Sequence, residues 1–76
     1  MICELDSIVL LHDIEEHNLK RGDIGAVVHC YEGGAAFEVE FVTAAGETIA
    51  VLTLTQKDVR AMDRKEILHV REFASV

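Results

Sequence analysis

Apolar residues in this chain gather in short runs separated by glycine and charge. The run Phe37-Glu38-Val39-Glu40-Phe41 alternates with period two, which puts Phe37, Val39 and Phe41 on one face of a β-strand and both glutamates on the other. Ser7-Ile8-Val9-Leu10-Leu11 is rich in β-branched residues and too short for a helix, so it predicts a first strand. Gly25 to Tyr31 predicts a second strand and Thr48 to Leu54 a fourth. Glu32-Gly33-Gly34-Ala35 and Ala44-Ala45-Gly46-Glu47 supply the turns between them, since glycine reaches the positive φ angles that tight turns use. Thr55-Gln56-Lys57-Asp58 has the form of an N-cap with an acid three residues on, predicting a short helical turn to about Met62. Glu66 to Arg71 then predicts the last strand.

Between the first two strands lies a polar stretch, His12 to Asp23, whose interior anchors are Ile14 and Leu19. A closed loop is expected there, with Asn18 and Gly22 in left-handed backbone conformations that shape its return. Five short strands, a long first loop and a helical turn before the last strand describe a mainly β, five-stranded SH3-like barrel spanning 1–76 as a single domain. Closing the barrel would protect strand edges. An open five-stranded sheet with one packed helix is the alternative.

Composition sharpens this in one respect. Half of the 76 residues are hydrophobic, yet a chain this short buries only roughly 60% of its unfolded surface. Ile49-Ala50-Val51-Leu52 and Ile8-Val9-Leu10-Leu11 are apolar on both faces, whereas a barrel wall should be polar outside. Their outer faces are expected to lie under the helical turn and the C-terminal tail, or against another chain. The small size favours a dimer.

Net charge is −7, unevenly spread: residues 1–50 carry ten acids against Lys20 and Arg21, and residues 51–76 carry five bases against four acids. A negative front repels phosphate backbones, so nucleic acid is excluded as a direct partner and a basic protein surface is favoured. No apolar run approaches the ~20 residues of a membrane span, and no cationic start leads into an apolar signal region, so a cytoplasmic protein without membrane contact is expected. Cys3 and Cys30 are too few for a disulfide scaffold and read as reduced thiols, Cys30 sitting within a strand.

Candidate chemistry is sparse. His12 and His17, near Asp13, Glu15 and Glu16, are the candidates for a metal site, but positions five apart do not share a helix face and no HxxxH or CxxC spacing appears. His29 and Cys30 are adjacent and so point to opposite strand faces, which rules out a nucleophile–base pair between them. Glu38 and Glu40 stand about 6–7 Å apart by strand rise, compatible with paired-carboxylate chemistry but equally with the wet side of a half-buried strand. Gly22-Asp23-Ile24-Gly25 lacks the Lys-Ser/Thr end of a phosphate loop and precedes a strand, so Asp23 is read as capping backbone amides in the turn. No constellation combines nucleophile, base and charge stabiliser; neither catalytic residues nor a cofactor are expected.

The segments ELDSIVLLHDI, LKRGDIGAVVHCY, FEVEF and GETIAVLTL resemble small bacterial proteins grouped as domain of unknown function 4926, and Gly22-Asp23-Ile24-Gly25-Ala26-Val27 is similar to the KOW motif of SH3-like ribosomal and transcription proteins. The resemblance covers roughly residues 4–60 and implies a small barrel without an established activity. Family members often carry proline where this chain has Glu15 and glycine where it has Asn18, so a less rigid or differently turned loop is expected. KOW modules contact RNA or protein, and the acidic charge argues for protein.

The function expected is a non-enzymatic protein-interaction module, of the kind an acidic antitoxin or immunity protein provides to a neighbouring partner. Asp13, Glu15, Glu16, Asp23, Glu38 and Glu40 are the candidate partner-binding residues. An accessory subunit or domain of an enzyme is the alternative, and a metal-binding protein using the loop histidines is the second.

Overall fold

The computed structural model of the chain describes residues 2–73. Five strands form where the period-two patterning and β-branched residues favour extended backbone: β1 (Ser7–Leu10), β2 (Ile24–Cys30), β3 (Phe37–Val42), β4 (Thr48–Leu54) and β5 (Val59–Ala61). All neighbours are antiparallel, in one sheet of order β4-β3-β2-β1-β5. The remaining regular structure is two single 3-10 turns, Glu15–His17 and Glu32–Gly34. Glycine makes the second connection possible, since Gly33 and Gly34 have φ of 79° and 69°.

The alternating faces of β3 set the core. Phe37, Val39 and Phe41 are at most 2% exposed, and they pack with Ile8, Leu10, Leu19, Val27, Leu54 and Val59. Gly25 belongs to this inner face for a steric reason. A Cβ on it would lie 2.6 Å from Val39 Cγ1 and 2.9 Å from Phe41 Cε1, so the two side chains occupy the space any larger residue would need. Register shifts between Val27 and His29, and between Phe41 and Val42, insert bulges that bend the sheet around that core.

The sheet is open. β4 and β5 are its two edges and do not pair with each other among the described residues, so the closed barrel expected from the strand count is not formed and the open sheet is the architecture. The four residues Thr55–Asp58 nonetheless link one edge to the other, so the edges approach at that end and both Leu54 and Val59 enter the common core.

Two further expectations are corrected. Asp58 does reach back to Thr55, accepting from its amide at 2.8 Å and its hydroxyl at 3.0 Å, as a capping box would. No helix follows. The Asp58 amide closes a turn onto the Thr55 carbonyl at 2.9 Å, and Val59, 2% exposed, pairs with Leu10 in β1. Burial and ladder pairing of Val59–Ala61 outweigh the local helix signal. The last strand is therefore this short segment, and Glu66 to Arg71, despite its strand-like pattern, is an unpaired arm.

Candidate interaction surface

The loop between β1 and β2 is built from its own hydrogen bonds. Ile14 and Leu19 exchange amide–carbonyl bonds at 2.9 and 3.1 Å, and Leu19 sinks into the core. Asn18 takes φ 58°, a left-handed conformation that its short polar side chain tolerates. Asp13 accepts the Arg21 amide at 2.8 Å and Asp23 the Lys20 amide at 2.8 Å, confirming Asp23 as a cap in its turn. Glu15 and Glu16 are left exposed on the 3-10 turn at the loop tip.

Two ionic contacts tie this loop to the far end of the chain. His12 Nε2 lies 2.8 Å from Asp58 Oδ1, and Nδ1 donates to the Asp13 carbonyl at 3.0 Å. Both ring nitrogens face acceptors, so the bonded state is the imidazolium. Asp58 foremost, then the Asp13 carbonyl, holds the His12 pKa above its ordinary value. The same hydrogen bond, with the Thr55 amide, holds Asp58 below the usual carboxylate range. Arg71 grips Asp23 with two bonds, Nε to Oδ1 at 2.8 Å and Nη2 to Oδ2 at 2.6 Å, and also donates to the Asn18 carbonyl at 3.0 Å. Partial burial pushes the Asp23 carboxyl up, but the Arg71 and Lys20 donors outweigh it and leave it below its usual value.

The outer face of the β3–β4 hairpin carries the other two candidate acids. Glu38 accepts from the Thr53 hydroxyl, and Glu40 from the Thr48 hydroxyl at 2.7 Å. Around them Val28, Val42 and Val51 are 45%, 49% and 50% exposed. Of the two runs that are apolar on both faces, Ile8-Val9-Leu10-Leu11 is buried as far as Leu10 and leaves Leu11 exposed, and β4 leaves Val51 uncovered.

Of the predicted residues, then, Asp13 and Asp23 are engaged in folding the loop, while Glu15 and Glu16 at its tip and Glu38 and Glu40 on the sheet form two separate acidic surfaces. His12 commits both nitrogens internally, and His17 lies exposed at the end of the 3-10 turn. No group of three or more His, Cys, Asp or Glu residues is placed to hold a metal among the described residues. His29 sits 3.5 Å from Glu4 and edge-on to Tyr31. Cys30 contacts the Ile2 carbonyl, and desolvation, with Cys3, Glu4 and Asp6 nearby, raises its pKa, the opposite of an activated thiol. Sequence reading missed Arg71 and Asp58, because their partners lie 48 and 46 residues away and no local spacing announces them. It also did not single out Val28 and Val42, whose outward positions follow from the alternation that buries Val27 and Phe41.

A family model described as a domain of unknown function (DUF4926) matches residues 4–61. The chain belongs to the DUF4926 family. The match spans the whole sheet and stops at the last residue of β5, so the DUF4926 unit is the open sheet and the arm lies beyond it. The signature glycines of the resemblance fall at Gly22, with φ 94°, and at Gly25, under Val39 and Phe41. No curated protein and no solved structure matches the chain. No helix among the described residues is long and apolar enough to cross a membrane.

Proposed function

We propose that the protein is a non-enzymatic interaction module that presents acidic surfaces to a basic protein partner. One observation carries the reading: the loop tip with Glu15 and Glu16 is held in shape by hydrogen bonds and a buried Leu19, yet its carboxylates bond to no side chain or amide among the described residues. A preorganised acidic loop loses little conformational freedom on binding and steers a cationic partner by long-range attraction. Glu38 and Glu40, set among half-exposed valines, extend the same chemistry to the sheet face. An antitoxin- or immunity-type role fits this class, since negative charge can block a basic site that handles nucleic acid.

The test is affinity capture with the native chain and with E15K/E16K/E38K/E40K, followed by binding measurements across ionic strength. A specific basic protein should be retained by the native chain, lost by the charge-reversed one, and bound more weakly as salt rises. Capture indifferent to both reversal and salt would remove the reading.

A further inference from the structure

The arm that the sequence patterns as a strand is held in the open. At one end Glu66 is gripped by Arg60 through two bonds at 2.8 and 2.6 Å, and at the other Arg71 is bound to Asp23. Between these pins, residues 67–70 make no backbone hydrogen bond among the described residues. Their apolar side chains face solvent: Ile67 is 95% exposed, Leu68 65% and Val70 88%. An apolar segment without backbone partners beside an unpaired sheet edge supplies the two halves of a ladder.

The edge lies close by. His69, Val70, Arg71 and Phe73 share a hollow of about 300 Å³ with Val42 at the end of β3 and Ile49 near the start of β4. Arm and edge thus form one continuous patch, with the arm pinned toward Asp23 and so kept from pairing with its own β4. The charges also match. Glu66 and Arg71 are engaged by Arg60 and Asp23, which leaves Arg64 and Lys65 as the charges beside the arm, while the β3–β4 hairpin carries Glu38, Glu40 and Glu47 and no base. A surface that holds both halves of a complementary pair is satisfied twice by a two-fold axis through it.

We propose that two copies of this chain associate across this patch, the pinned 66–70 arm of each adding as a strand to the β4 edge of the other. The occupant is a second copy because the required strand, edge and opposite charges are all present in one chain. The Glu15–Glu16 loop tip lies outside this surface, whereas Glu38 and Glu40 belong to both, so E15K/E16K separates the two readings: it should weaken capture of a basic partner and leave self-association unchanged.

The experiment is light scattering on the full chain during size exclusion, with native mass spectrometry. Two short strand additions make a small interface, so the native chain should run at twice 8.4 kDa at about 100 µM and dissociate on dilution. I67D/V70D and V51K should each be monomeric while melting cooperatively, because all three residues are exposed and outside the core. Hydrogen exchange provides a readout without substitutions: β4 amides should gain protection as concentration rises. A native chain that stays monomeric at about 100 µM, or an arm or edge variant that dimerises like the native chain, would each overturn the proposal.

Discussion

Replacing Gly25 by alanine tests the packing of the core at a single atom. In an extended strand alanine is intrinsically favoured over glycine by roughly 0.5–1 kcal/mol, so the bare expectation is stabilisation. The structure reverses the sign. The new Cβ would sit 2.6 Å from Val39 Cγ1 and 2.9 and 3.1 Å from two atoms of the Phe41 ring, all three of them in side chains that are themselves fully buried. Relief would require Val39 or the Phe41 ring to leave its packed position, and overpacking of this kind costs about 1–3 kcal/mol. The net loss is about 1–2 kcal/mol, which for a domain this size lowers Tm by about 4–16 °C. Urea unfolding followed by circular dichroism should show the midpoint falling by about 1–2 M for a slope near 1 kcal/mol/M. A double-mutant cycle isolates the cause. Val39→Ala removes the atom in closest contact, so Gly25→Ala should cost at least about 0.5 kcal/mol less in that background. Equal cost in both backgrounds, or a Gly25→Ala protein as stable as the native one, would show that this glycine is not held by Val39 and Phe41.

Phe41→Ala should cost about 3–5 kcal/mol, enough to leave much of the chain unfolded in a thermal melt, because the ring is buried and no neighbour can fill its volume. His12, raised by Asp58, stabilises the fold in its charged form; that contribution is complete below pH 6.5 and fades as pH rises through the elevated pKa. Denaturation at pH 6 and about pH 8 should therefore show a loss in the native chain that His12→Gln lacks. Asp23 and Asp58, both depressed, act in the opposite sense: their contribution is present above 3.8 and is lost as pH falls through the lower folded values, so acid unfolding of Asp58→Asn should begin from a lower baseline but be less steep. Arg71→Ala should free the arm, speeding tryptic cleavage after Arg64 and Lys65 while shifting global stability by less than about 1 kcal/mol, since the ion pair is partly exposed and outside the sheet.

Local chemistry made much of the sheet legible. The alternation of Phe37 to Phe41 names its own buried face, and the turns at Gly33, Gly34 and Gly46 are positions where positive φ is needed. Asn18 shows the same logic, since its side chain tolerates the left-handed region that the loop's return demands. Thr55 and Asp58 show where local reading stops: the capping contacts form as their spacing predicts, yet the chain continues into β5. Glu66 to Arg71 fails from the other side, having strand-like residues but no ladder partner among the described residues. The candidate site was legible as acidic residue types on a loop and a strand. Which of those carboxylates remain free was not, because Arg71 and the Arg21 amide reach Asp23 and Asp13 only in the fold.

By itself the sequence determined the number of core-forming strands before β5, the inner face of β3 and the negative character of the surface, because periodicity, turn propensity and charge are properties of neighbouring residues. Tertiary structure alone decided that the sheet stays open, that Val59–Ala61 pairs with β1 in place of the arm, and that His12 and Asp23 are closed off by Asp58 and Arg71. Those outcomes depend on competition between segments dozens of residues apart for the same backbone partners and buried volume, and no local pattern encodes which competitor wins.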